Sequence, residues 1–147
     1  MILLDTNVVS ELMRPAPSEA VLAWFAAQDA ADLYLSAIGE AELRRGAAML
    51  SADRRRDQLM AAIEAMINED FAGRILPFDS AAASAFVLVF LERCAAGRPI
   101  SFADCQIAAT ARAQGAAIAT RHTADFAGCG IAVIDPWAHQ QGTRSIT

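Results

Sequence analysis

The 147-residue chain contains no lysine; all 12 of its basic residues are arginine. That absence removes a P-loop lysine, a Schiff-base lysine and any lysine general base. It also argues against a phosphoacceptor receiver domain, which uses a lysine near its acidic pocket. Cysteine is scarce: Cys94, Cys105 and Cys129 are the only three, and they form no CxxC pair. Such spacing fits free thiols in a reducing cytoplasm better than a disulfide framework or a zinc site. No apolar run reaches the roughly 18 residues of a membrane span. The N-terminus lacks the basic segment of a signal peptide, and Asp5 interrupts its first apolar run. Positive charge is in deficit too, with a net charge of −5 and a pI near 4.9. Phosphate affinity usually comes from a basic surface. An acidic chain that handles nucleic acid therefore needs metal ions to offset its carboxylates.

What is abundant is apolar, at 55% of residues with a mean hydropathy of +0.31, much of it alanine, a strong helix former. The length suits a single domain spanning 1–147, with a substantial core. "ILLD" (2–5) reads as a short buried strand. Pro15 and Pro17 break the helix after it, and Ser18 caps the next, near 19–27. "DLYLS" (32–36) is a second strand, followed by the helices "GEAELRRGAAML" and "SADRRRDQLMAAIEAMINEDF". In the latter, Leu59, Ile63, Met66 and Ile67 recur at helical spacing. "RILPFD" (74–79) is a third strand, and its helix closes at Gly97. Ser101 and Gly115 bracket another helix. "AAIAT" (116–120) and "IAVID" (131–135) complete five strands. Short apolar strands alternating with helices indicate an α/β fold with a mainly parallel sheet.

In such folds sites form beyond the carboxyl ends of the strands. Asp5 follows the first strand, Glu40 and Glu42 follow the second, and "TRHTADF" with His122 and Asp125 follows the fourth. Asp104 opens the helix before that fourth strand. Each acid has a plain structural role available: Asp5 as a helix cap, Ser101 to Asp104 as a capping box, Asp125 as a loop cap. Glu40 and Glu42 cannot share a helix face, and Glu42, between Ala41 and Leu43, is the inward one. Together the acids repel one another unless a cation neutralises them. Hard Mg²⁺ or Mn²⁺ suits such oxygen ligands, and an ion that keeps water can activate it for attack on a phosphodiester.

"MILLDTNVVSEL", "SAIGEAEL", "RILPFD", "ISFADCQIAATARAQG", "AAIATRHTADF" and "VIDPW" resemble, in order and spacing, the PIN-domain ribonucleases. The nearest kin by this likeness are the VapC/FitB-like toxins of type II toxin–antitoxin modules. The resemblance implies a PIN-like α/β/α sandwich with a five-stranded parallel sheet. It implies cytoplasmic, Mg²⁺-dependent (or Mn²⁺-dependent) cleavage of RNA by a metal-activated water, a homodimer, and a cognate antitoxin that fills a groove. Carried onto this chain, it makes Asp5, Glu42 and Asp104 catalytic metal ligands, with Asp125 a fourth in the same shell or one shell out. Thr6, Asn7 and Thr120 would order the cluster, and Arg121 would supply positive charge in place of lysine. Two departures stand out. Gly39 replaces the threonine or bulkier residue usual after "SAI", which would loosen the helix start. In "TRHTADF", His122 stands where many relatives have Asn or Asp; Asp125 is then expected to face the cluster in preference to His122. The alternatives are a PIN-like nuclease outside a toxin module and an inactive PIN-fold binding module. A carboxylate phosphatase is disfavoured, because "DTN" lacks the Asp-x-Asp nucleophile motif.

Overall fold

Five strands form one parallel sheet in the order β3-β2-β1-β4-β5. They are β1 (Ile2–Leu4), β2 (Leu33–Ser36), β3 (Ile75–Leu76), β4 (Ala117–Ala119) and β5 (Val133–Ile134). The computed structural model describes residues 1–140; the rest of the expected 1–147 domain lies outside the described residues. The helices are α1 (Thr6–Leu12), α2 (Glu19–Ala26), α3 (Ala37–Ala48), α4 (Arg54–Ala65), α5 (Ser80–Ala95), α6 (Phe102–Gln114) and the single turn α7 (Thr123–Phe126).

Alternation along β1 sends Leu3 and Leu4 to opposite faces of the sheet. Leu4 joins one core with Val9, Val21, Trp24, Leu43 and Ile63, from α1 to α4. Leu3 joins another with Val89, Ile107, Ala108, Ile118 and Phe126, from α5 to α7. Both faces are covered, which makes the α/β/α sandwich. All four strand pairings are parallel.

The two edge strands are shorter than their sequence segments. The expected strand 74–79 pairs only at Ile75–Leu76, and 131–135 only at Val133–Ile134. Each has one neighbour, and just before each strand one further carbonyl, that of Arg74 or Ala132, accepts from that neighbour, from the Leu35 or Ile118 N–H. The long helix expected over 51–71 is α4 followed by a wider π turn at Met66–Asp70. Its periodic residues still meet the core: Ile63 and Ile67 are buried, with Leu59 and Met66 packed against them. At α3, Ser36 caps the helix by accepting from the Gly39 N–H at 2.9 Å. The start that Gly39 was expected to loosen is thus closed by a buried cap. At the other end of α6, Gly115 takes φ +66°, the left-handed conformation that glycine adopts most easily.

Strand order runs outward in both directions from β1. Chain order reverses between β1 and β4, so a crevice opens beyond their carboxyl ends. Asp5 is the residue after β1 and Thr120 the residue after β4.

Candidate active site

The ladder aligns Leu4 with Ala119, and the Asp5 N–H continues it by donating to the Ala119 carbonyl at 2.9 Å. Parallel register therefore sets Asp5 beside Thr120. The Thr120 hydroxyl donates to Asp5 Oδ2 at 2.8 Å. The same oxygen of Asp5 accepts from Asn7 Nδ2 at 3.0 Å, while Oδ1 accepts from the Thr6 N–H at 2.8 Å. Asp5 does serve as the N-cap of α1, but capping occupies only one of its oxygens. Thr120 Oγ1 is a hub, accepting also from Asn7 Nδ2 at 3.3 Å and the His122 N–H at 3.1 Å. The Arg121 N–H donates to Asn7 Oδ1 at 3.2 Å, tying the β4–α7 loop to α1.

α1 and α3 pack together, and Thr6 Oγ1 donates to Glu42 Oε2 at 2.7 Å. Glu40, on another face of α3, bonds Arg44 at 2.9 Å, and Arg44 reaches on to Glu64. The two glutamates thus separate, Glu42 to the cleft and Glu40 to an ion network. At α6, Ser101 Oγ accepts from the Asp104 N–H at 3.1 Å. Among the described residues the Asp104 carboxylate returns no bond to the Ser101 N–H, so the capping box is half made. That leaves Asp104 free to line the cleft.

The cleft holds about 660 Å³. Asp5, Glu42 and Asp104 line it together with Thr6, Asn7, Arg121 and His122. Asp125 does not. On the one turn of α7, Phe126 is buried in the core, which turns its neighbour Asp125 outward to solvent. The expected preference for Asp125 over His122 is therefore reversed in position: His122 borders the cleft and Asp125 is exposed outside it.

Four residues in the lining went unnoticed in the sequence: Ser10, Glu11, Arg14 and Trp137. A signal existed for three of them. Asn7, Ser10, Glu11 and Arg14 recur at helical spacing, a polar stripe running from the Asp5 cap down one side of α1. Glu11 is buried at 8% exposure. Its Oε1 accepts from the Ser18 N–H at 2.9 Å and its Oε2 bonds Arg14 at 3.1 Å. The Ser18 bond, followed by Arg14, holds the Glu11 carboxyl below its ordinary range. Trp137 follows β5, on a turn (Pro136–Ala138) whose N–H at Trp137 is capped by Asp135 at 2.9 Å.

Burial pushes the Asp5 carboxyl above its ordinary value; bonds from Thr120 and the Thr6 N–H pull it back, and the charges of Asp104 and Glu42 push it up again. A carboxylate destabilised by burial and by two like charges attracts a cation. Every donor in the acidic set is an oxygen, the chemistry of Mg²⁺ or Mn²⁺. Among the described residues, no three His, Cys, Asp or Glu side chains converge tightly enough to enclose an ion. An open set still fits Mg²⁺, which typically takes one or two carboxylates and completes its shell with water and substrate phosphate. The thiols belong elsewhere: Cys105 and Cys129 are buried, and burial pushes Cys105 up to about 11. No helix among the described residues is long and apolar enough to cross a membrane.

The PIN domain model matches residues 2–127. The chain is 45% identical over 137 residues to VapC ribonuclease Y4jK of Sinorhizobium fredii, covering 93% of this chain and 98% of the relative. It is 44% identical over 137 residues to Toxin FitB of Neisseria gonorrhoeae, covering 93% and 99%. The crystal structure of FitAcB from Neisseria gonorrhoeae superposes with a TM-score of 0.89 at 44% identity, over 94% of this chain and 99% of that one. FitAB bound to an IR36 DNA fragment gives 0.90 at 42% identity, over 97% and 99%. With the five-stranded parallel sheet, the crevice at its switch point and the match over 2–127, the chain belongs to the PIN domain family.

Proposed function

We propose that the chain is a Mg²⁺- or Mn²⁺-dependent endoribonuclease that acts in the cytoplasm as the toxin of a type II toxin–antitoxin pair. One observation carries the reading: Asp5, Glu42 and Asp104, from three separate elements, line a single cleft in which Asp5 is repelled by the other two. The relatives named as a VapC ribonuclease and as Toxin FitB support the substrate and the biological role. Asp5, Glu42 and Asp104 would hold the ion, with waters completing its shell. When bound, the ion would lower the pKa of an attacking water and offset charge on the phosphate. The chain's own part is positioning. Thr120 and Asn7 fix Asp5, and Thr6 fixes Glu42, so the acids are set before substrate arrives. Arg121 offers a cation at the cleft where the chain has no lysine.

The molecule has surface for the partners the reading requires. Leu22, Phe25, Met66 and Phe71 line a groove of about 690 Å³ away from the acids, suited to an antitoxin segment. Val87, Leu88, Phe90 and Leu91 are exposed on α5, beside exposed Phe102, an apolar face fit for a second copy. The test combines two assays. Purified protein should cleave single-stranded RNA with Mg²⁺ or Mn²⁺ and not in EDTA. Induced expression should arrest growth, and co-expression of the adjacent open reading frame should relieve it. Cleavage that persists in EDTA refutes the metal dependence, and normal growth with abundant soluble protein refutes the toxin role.

A further inference from the structure

Arg121 is a cation in an acid-lined cleft that pairs with no acid. Among the described residues no carboxylate lies within ion-pair distance of it, whereas Arg14, the cleft's other arginine, is held by Glu11. Arg121 instead lies over the indole of Trp137, its guanidinium carbon 5.1 Å from the ring centroid. Trp137 is a firm floor. Its turn begins at buried Pro136, is capped by Asp135 and packs against α2, and the ring is half-buried against the core that contains Trp24. The Arg121 backbone is fixed from the other side by Asn7. Arg121 is thus held at its backbone by Asn7 and at its side chain by an aromatic ring, and it lines the cleft while staying exposed. A simple point charge needs none of this. A planar cation seated over an indole offers a nucleobase a π-face and a guanidinium on which to stack.

We propose that Arg121, held over Trp137, is a base-stacking residue that seats one unpaired nucleobase beside the acids and so fixes which phosphate reaches them. This rests on the ribonuclease reading above and adds a determinant of substrate register to it. Lysine could replace the charge but not the plane.

The probe is a fluorescein-labelled single-stranded RNA decamer of mixed sequence. Binding is followed by anisotropy with Ca²⁺ in place of Mg²⁺, and strand integrity is checked on a gel. A series of the same strand carries one abasic site, moved a position at a time. For the wild-type chain, affinity should fall roughly 5- to 150-fold at one position of the series, the range expected for one stacked base. Arg121→Lys should bind the intact strand more weakly by the same factor and lose the dependence on abasic position. Trp137→Leu should behave likewise and Trp137→Phe should recover part of the effect. Should Trp137→Leu fail to fold, the exposed Arg121→Lys substitution carries the test alone. Full affinity in Arg121→Lys, or an abasic profile unchanged from wild type, overturns the stacking role while leaving the nuclease reading intact. A wild-type chain that neither binds nor cleaves the RNA overturns both.

Discussion

Thr120→Val removes one hydroxyl and tests how Asp5 is poised. Thr120 is fully buried, and its hydroxyl gives Asp5 the shortest side-chain bond it receives, at 2.8 Å. A bond to a charged group typically contributes about 1.5–3 kcal/mol. The substitution also strips an acceptor from Asn7 Nδ2 and from the His122 N–H, while the added methyl recovers part of the loss. A net cost of about 2 kcal/mol at neutral pH follows, or roughly 6–10 °C in melting temperature for a chain of this size. The pH dependence is more diagnostic. The Asp5 carboxyl stands above its ordinary value, burial being the main cause and the Thr120 bond the largest opposing one. A group raised in the folded state favours folding most below its unfolded pKa and loses that contribution as pH rises through the folded value. Without the hydroxyl the folded value rises further. The variant's stability deficit should therefore be small in acid, where Asp5 is protonated in both proteins, and should grow toward neutral pH. Its RNA cleavage should fall about 10- to 100-fold near neutral pH. Melting curves of the metal-free protein from acid to neutral pH, with cleavage rates at neutral pH, decide this. An equal stability deficit at every pH would make Thr120 a core hydroxyl with no hold on Asp5.

Asp125→Asn should leave cleavage within about twofold of wild type, because Asp125 is exposed outside the cleft; a loss of tenfold or more in a kinetic assay would return it to the metal shell. Arg93 is buried and donates to the Ala124 and Ala127 carbonyls, so Arg93→Met should lower stability by about 2–4 kcal/mol in denaturant titration and lower cleavage through the displaced His122 segment. Gly39→Ala sets about 1 kcal/mol of helix propensity against a new Cβ only 3.2 Å from Leu35 Cδ1 and Ser36 Oγ. Contact should prevail because Leu35 is fully buried and Ser36 Oγ holds the cap; a higher melting temperature would show that the pocket can yield.

Central strands were legible because burial on both faces writes them as unbroken apolar runs, as in "ILL" before Asp5 and "AIA" before Thr120. Edge strands were overextended because composition marks apolar residues and not the neighbour each strand lacks. Caps were legible where a serine opened an alanine-rich helix, at Ser18 and Ser101. The single turn of α7 was not, since four residues hold too little periodicity to separate a turn from a loop. That gap misplaced Asp125: orientation within one turn depends on Phe126 seeking the core, a tertiary fact. The convergence of Asp5, Glu42 and Asp104 on one cleft was accessible from strand ends and the family resemblance together. Glu11 and Arg14 were accessible in principle from the polar stripe of α1. The pairing of Arg121 with Trp137 was not, because it joins the ends of β4 and β5 across the crevice.

The most direct test of the metal-dependent site is single-turnover cleavage of single-stranded RNA by wild type, Asp5→Asn and Asp104→Asn under titrated Mg²⁺ or Mn²⁺, with melting temperatures recorded on the same samples. Asparagine caps a helix about as well as aspartate, and the Ser101 cap uses the Asp104 N–H and not its carboxylate. Both variants should therefore remain folded while losing cleavage of the order of a hundredfold or more. Folded variants that cleave at the wild-type rate, or wild-type cleavage indifferent to the metal, would contradict the account.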